Sequence, residues 1–257
     1  MFWWRKIAVL KRQLNDLQGE LQKEQGKISQ LAGFMGRLQS FGVSPTGQIP
    51  RREFAEALID SVHDIATSVN WVLGGLSLPA KSVEEVAGFV GDGVHMLLAR
   101  AIGGADETVV RDAVRKFRAH YLRHCLDTTR LYPTVQSTLA HLRAKRLAVV
   151  TNKPYAPTMR ILDGLHVTGY FPVVLGGEST PARKPHPAPV LKALELLGVA
   201  ADESMMVGDG PHDIEAGRSA GLRTCGVTYG LVGCSNIAAA RPDYLIDALE
   251  ELLRHVP

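Results

Sequence analysis

Two rhythms divide the chain. Along residues 1–40, apolar side chains recur every seven positions. Ile7, Leu14, Leu21, Ile28 and Met35 form one row, and Leu10, Leu17, Leu31 and Leu38, interrupted by Glu24, form the other. The alternating spacing of three and four sets both rows on one helical face, as in the a/d seam of a coiled coil. Gly19, Gly26 and Gly33 fall on the outer f position. There each costs the helix about 1 kcal/mol but leaves the seam intact. The pattern predicts one long N-terminal helix over 1–40. A seam this narrow has little use on a monomer, so a homo-oligomer through this helix is expected. The plainer alternative is an amphipathic helix lying on its own domain.

Residues 41–52 read as a linker, with two Gly and two Pro between Phe41 and Arg52. From about residue 58 the rhythm changes. Residues 61–125 carry apolar positions at three- and four-residue spacing, broken at Gly74-Gly75, Pro79 and Gly103-Gly104. Beyond residue 134, short β-branched runs alternate with helical segments. The runs are 147–151, 173–175, 205–207, 224–228 and 244–246. Such alternation predicts βαβ units and a Rossmann-like α/β fold, a parallel sheet covered on both faces. Ligands in such sheets bind at the carboxyl ends of the strands, so the polar residues after each run are the candidates for chemistry.

Composition narrows the class. Among 257 residues, 46% are hydrophobic and 21% charged, which is ordinary globular usage and excludes fibrous or wholly disordered structure. No stretch approaches the roughly 18 consecutive apolar residues of a spanning helix. Phe2, Trp3 and Trp4 beside Arg5 and Lys6 offer only a short patch to a membrane surface, and membrane contact is not expected. The same start has no long apolar core and makes a poor secretory signal. Cys125, Cys225 and Cys234 show no CxxC spacing, so free thiols in a reducing cytoplasm are expected. The net charge of +3 is concentrated in residues 1–50, which hold seven Lys/Arg against three Asp/Glu. No dense basic cluster with interleaved aromatics accompanies it, so no nucleic-acid partner is expected.

Three strand ends carry candidate chemistry. Thr151 and Asn152, followed by Lys153, end the first run, where a hydroxyl and an amide suit a phosphate. They also suit a simple turn and cap. Lys184 lies in Arg183-Lys184-Pro185-His186-Pro187, where two prolines restrict the backbone and favour a held ammonium. Such a lysine neutralises a phosphate or a neighbouring carboxylate. In Val207-Gly208-Asp209-Gly210-Pro211-His212-Asp213, the turn sets Asp209 at a strand end and Asp213 in the first turn of a helix. Two hard oxygen ligands then converge on one Mg²⁺. The competing reading makes Asp209 a turn residue and Asp213 a helix cap. His186 and His212 read as solvated loop histidines.

Taken in order and with these gaps, Thr151-Asn152, Lys184-Pro185 and Gly208-Asp209-x-x-x-Asp213 resemble motifs II, III and IV of the haloacid dehalogenase-like hydrolases, in particular those of the phosphoglycolate phosphatase type. Leu58-Ile59-Asp60-Ser61, Leu131-Tyr132-Pro133-x-Val135 and Val90-Gly91-Asp92-Gly93-x-x-x-Leu97-Leu98 add to the resemblance, which covers roughly residues 58–256. It implies a Rossmann-like core (53–64 and 130–257) with an inserted helical cap (65–129). It also implies Mg²⁺-dependent hydrolysis of a small phosphate monoester through an aspartyl-phosphate. On that template Thr151, Asn152 and Lys184 bind the phosphoryl group and Asp209 and Asp213 hold Mg²⁺. Gly91 and Gly93 let the cap backbone close over a small phosphorylated metabolite.

The first motif departs from the pattern. The family carries Asp-x-Asp-Gly-Thr before its Leu-Ile/Val-Asp-Ser. Counting back from Asp60-Ser61 puts the nucleophile position on Glu53 and the general acid/base position on Ala55, with Glu56 and Ala57 for Gly and Thr. Neither Asp60 nor Asp64 has the spacing to replace them. Arg51–Leu58 also lacks an apolar β-branched run and reads as helix, which would leave a central gap in the sheet. Severely impaired phosphatase activity is expected. The alternative function is a catalytically impaired pseudoenzyme, an oligomeric binding or scaffold protein held together by its N-terminal coiled coil.

Overall fold

A computed structural model of the chain describes residues 51–54, 56–104, 106–230 and 234–255. The heptad helix expected over 1–40, and the linker up to residue 50, lie outside them.

Six parallel strands form the main sheet: β1 (Arg51–Phe54), β4 (Leu147–Val150), β5 (Val173–Leu175), β6 (Ser204–Gly208), β7 (Arg223–Val227) and β8 (Tyr244–Ile246). Their order is β5-β4-β1-β6-β7-β8. The β-branched and apolar runs supply five of them. All four residues of β4 and all five of β6 are buried, as strands covered on both faces require.

Strand β1 corrects the sequence reading. Residues 51–54 are neither helix nor, at 51 and 52, linker. They form the central strand, with Glu53 in register with Ala148 of β4 and Met206 of β6. The physical reason is the ladder. A strand between β4 and β6 gives the facing edges of both their hydrogen-bond partners, and that outweighs the weak intrinsic preference of Arg-Arg-Glu-Phe. The gap expected in the middle of the sheet is therefore filled.

Helices cover the sheet. Helices α7 (Ala188–Leu197) and α8 (Pro211–Ser219) pack on one face, where Val190, Ala193, Leu194 and Ala216 meet Ala148, Val150 and Met206. The alternate residues Leu147, Val149, Met205 and Val207 are also buried, and on that other face α6 (Tyr155–Gly164) brings Thr158, Ile161 and Leu162 to a small hollow that Val149 also lines.

Between β1 and β4 the chain makes a helical excursion. It contains α1 (Val62–Gly74), α2 (Val83–Ala87), α3 (Val94–Ile102) and α4 (Glu107–His124). The chain then returns through α5 (Val135–His141) to β4. Two short antiparallel strands, β2 (Ile59–Asp60) and β3 (Arg130–Leu131), pair where the excursion leaves and returns. Asp64 fastens the same crossing. Its carboxylate, 2% exposed, accepts the backbone N–H and hydroxyl of both Thr128 and Thr129 at 2.6–3.1 Å. Burial disfavours the charged form, but these hydrogen bonds together outweigh it and hold the carboxyl below the usual range. No described helix is long and apolar enough to cross a membrane.

Candidate active site

The carboxyl ends of β4, β1 and β6 lie side by side at the point where strand order reverses, with Phe54 in register with Val149 and Val207. This is the crevice in which open α/β sheets bind ligands. Thr151 and Asn152 leave β4, Asp209 leaves β6, and Asp213 sits in the first turn of α8.

Lys184 ties these elements together. It is only 5% exposed, and its Nζ donates to the Val150 carbonyl at 2.6 Å and to Asp213 Oδ1 at 2.5 Å. The second Asp213 oxygen accepts the Gly210 N–H at 3.1 Å. Asp213 is therefore both the cap of α8, as one of its two sequence readings has it, and the partner of Lys184. Asn152 braces the lysine segment. Its Oδ1 accepts the Lys184 N–H at 3.1 Å, and its Nδ2 donates to the Lys184 carbonyl at 2.9 Å and to the Gly91 carbonyl at 2.8 Å. The Thr151 N–H donates to the Leu175 carbonyl at 3.0 Å, and its Oγ1 accepts the Lys153 N–H at 3.1 Å.

Small residues let the carboxylates in. A Cβ on Gly208 would fall 2.2 Å from Asp213 Cβ, so no side chain fits where Asp213 approaches β6. In the helical excursion, Gly93 holds φ +87°, a left-handed conformation that glycine takes without strain, and α3 starts directly after it.

The site opens into a cleft of about 340 Å³ between core and helical excursion. Lys184, Asp209 and Asp213 line one wall, and Gly91, Asp92 and Arg100 the other. Thr151 and Gly93 do not line it. A small apolar hollow of about 40 Å³ adjoins it, bounded by Val90, Val94, Leu97, Phe117 and Tyr121 together with Asn152 and Lys153. Lys153 Nζ donates to Tyr121 Oη at 3.0 Å, and burial pushes the Tyr121 phenol above its usual pKa.

The backbone of Glu53 lies one residue before the end of β1, between Ala148 and Met206. The turn that follows is anchored by Tyr229, whose hydroxyl donates to the Ala57 carbonyl at 3.0 Å, and burial raises its pKa.

Sequence reasoning missed one group. His212 is not a solvated loop histidine. Its Nε2 lies 3.0 Å from Asp92 Oδ1, across the cleft. Arg100 holds the other Asp92 oxygen and donates from Nη1 to the Phe89 carbonyl at 3.1 Å. The Arg100 hydrogen bond keeps the Asp92 carboxyl below the usual range. The signal was present only as a polar residue between two glycines and a histidine beside a carboxylate.

Hard carboxylate oxygens at strand ends are the donors Mg²⁺ takes, and Asp209 is buried, 3% exposed, directly after β6. The donor set thus fits Mg²⁺. Among the described residues no group of three or more His, Cys, Asp or Glu side chains gathers, so the described part of the site offers the pair Asp209 and Asp213, the second already bound to Lys184.

Comparison with known proteins decides the family. The model of a family described as haloacid dehalogenase-like hydrolase matches residues 54–227. The chain belongs to that family. Haloacid dehalogenase-like relatives include the phosphoglycolate phosphatase of Colwellia psychrerythraea, 36% identical over 205 residues, covering 76% of this chain and 91% of that protein. That of Aquifex aeolicus is 36% identical over 199 residues, covering 77% and 91%. A solved structure described as a predicted phosphoglycolate phosphatase from Haemophilus somnus shares 33% identity, with a TM-score of 0.75 over 80% of this chain and 96% of the other.

Proposed function

We propose that this chain binds a small phosphate monoester, of the kind named in its phosphoglycolate phosphatase relatives, at a Mg²⁺-dependent site whose hydrolytic step is severely weakened. The single observation that carries the reading is the buried Lys184–Asp213 pair, braced by Asn152 and set beside Asp209 under one cleft. In this reading Lys184 holds the phosphoryl oxygens, Thr151 reaches them only if its hydroxyl turns from the Lys153 N–H toward the cleft, and Asn152 fixes the lysine backbone. Asp209 and Asp213 would hold Mg²⁺, directly or through water, Asp213 alongside its bond to Lys184. When bound, Mg²⁺ supplies positive charge beside the phosphoryl group. The 40 Å³ hollow favours a leaving group of a few heavy atoms.

Hydrolysis is weakened at the end of β1. In the family a carboxylate there attacks phosphorus and a second one protonates the leaving alcohol. Glu53 is one methylene longer than aspartate, and a displacement of about 1 Å costs on the order of 100-fold. Ala55 has no proton to give, a step worth about 10²–10⁴-fold. Cytoplasmic residence and self-association through the heptads of 1–40 belong to the same proposal, supported by the cysteine spacing and the seven-residue pattern.

The test is calorimetric titration of the full-length chain with 2-phosphoglycolate in Mg²⁺, with Asp209→Asn as control. Saturable binding that needs Mg²⁺ and is lost in the control is expected. No binding by a folded protein would refute the proposal.

A further inference from the structure

One loop of the helical excursion, around Gly91, is fastened to the site twice. The Gly91 carbonyl accepts from Asn152 Nδ2 at 2.8 Å. The next residue, Asp92, meets His212 Nε2 at 3.0 Å. Both fastenings end on residues built into the anion corner. Asn152 also bonds the backbone of Lys184 at both N–H and carbonyl, and His212 precedes Asp213 in the first turn of α8. Arg100 presets the Asp92 carboxylate from within the excursion by holding its other oxygen. The His212 ring also lies against Gly91, whose Cβ, if present, would be 3.7 Å from Cε1.

We propose that Asp92 and His212 form a clasp between the cap and the core, and that it couples cap closure to formation of the Lys184–Asp213 anion corner. Both are positioning residues: they act through the loop at Gly91 and through α8 rather than on a reacting atom. The coupling follows from shared parts. Whatever orders the start of α8 and the Lys184 segment also orders both anchors of the loop, and closure of the loop in turn steadies those anchors. At 3.0 Å the imidazole Nε2 and the carboxylate oxygen are close enough to attract across the cleft. The pair is about one-third exposed, which limits its strength to that of a partly solvated ion pair. The inference rests on the proposed anion-binding role of Lys184, but its primary test does not.

That test is hydrogen–deuterium exchange on the full-length chain for Asp92→Ala, His212→Ala and the double variant. His212→Gln serves as the conservative replacement that keeps a donor. Without ligand, each alanine variant is expected to raise exchange in residues 88–95 by about two- to fivefold. The double variant should add nothing beyond Asp92→Ala, which also frees Arg100, and His212→Gln should recover part of the protection lost in His212→Ala. Exchange in β4 and α4 should be unchanged, which shows that the fold is retained. Inorganic phosphate with Mg²⁺ should slow exchange in 88–95 in the parent chain and much less in the alanine variants. Unchanged exchange in both single variants, or strictly additive effects, would overturn the clasp. If the clasp is seen without ligand but phosphate is not bound, the proposed function fails and the clasp stands.

Discussion

Three neighbouring strand ends in one sheet differ in what they carry. At the ends of β4 and β6, both strand and chemistry are in place: Thr151, Asn152, Asp209 and, through α8, Asp213, all buried around Lys184. At the end of β1 the strand is in place, paired on both sides, while in the proposed reading Glu53 and Ala55 take the places of the family's two aspartates. The difference separates two requirements. A central strand needs backbone hydrogen bonds on both edges, and many sequences can supply them. A nucleophile and a proton donor need particular side chains within about 1 Å of their places. A fold can therefore keep a site's frame whether or not the reactive groups are present.

The sharpest way to break this comparison is to restore the missing groups. The double substitution Glu53→Asp with Ala55→Asp should raise Mg²⁺-dependent turnover of 2-phosphoglycolate by at least about 10²-fold, the lower bound for a recovered general acid. Steady-state assays decide it, and an unchanged rate would show that the β1 end does not limit hydrolysis.

Removing the best-kept group tests the other side. Lys184→Met leaves Asp213 buried without its cation and should cost about 3–5 kcal/mol of stability, together with phosphate binding. Chemical denaturation measures the first and calorimetry the second. A loss below 1 kcal/mol would mean that the corner is not organised by this pair.

A smaller effect is expected at the excursion's hinge. Asp64→Asn should destabilise by about 1–3 kcal/mol at pH 7, because four donors lose a charged acceptor. The folded carboxyl titrates below its unfolded value. Its contribution is thus complete above the ordinary aspartate pKa and is lost as pH falls through the lowered one. The gap between variant and parent should close as the pH drops below about 4. A gap independent of pH would contradict the charged state of Asp64.

Most of this architecture could be read from the chain. Leu147–Val150 and Met205–Val207 show as strands because buried parallel strands are continuous apolar runs. Gly208-Asp209-x-x-x-Asp213 shows as a site because a strand, a turn and a helix fix where its carboxylates go. Strand β1 does not show, because Arg-Arg-Glu-Phe owes its conformation to two neighbours that come later in the sequence. The Asp92–His212 contact does not show either. It exists only once the cap is placed on the core, and no spacing rule links residues so far apart. Lys184 was visible as a held lysine, but its partner Asp213 and the bracing by Asn152 are tertiary facts.

The central claim is a site that binds without ordinary turnover. The measurement that tests it most directly is the single-turnover rate of 2-phosphoglycolate hydrolysis by the unmodified full-length chain, with Mg²⁺ and enzyme in excess over ligand. The account predicts saturable binding with a rate far below the roughly 1–10³ s⁻¹ of ordinary enzymes. A rate within that range, lost in Asp209→Asn, would contradict it and make Glu53 or another carboxylate a working nucleophile.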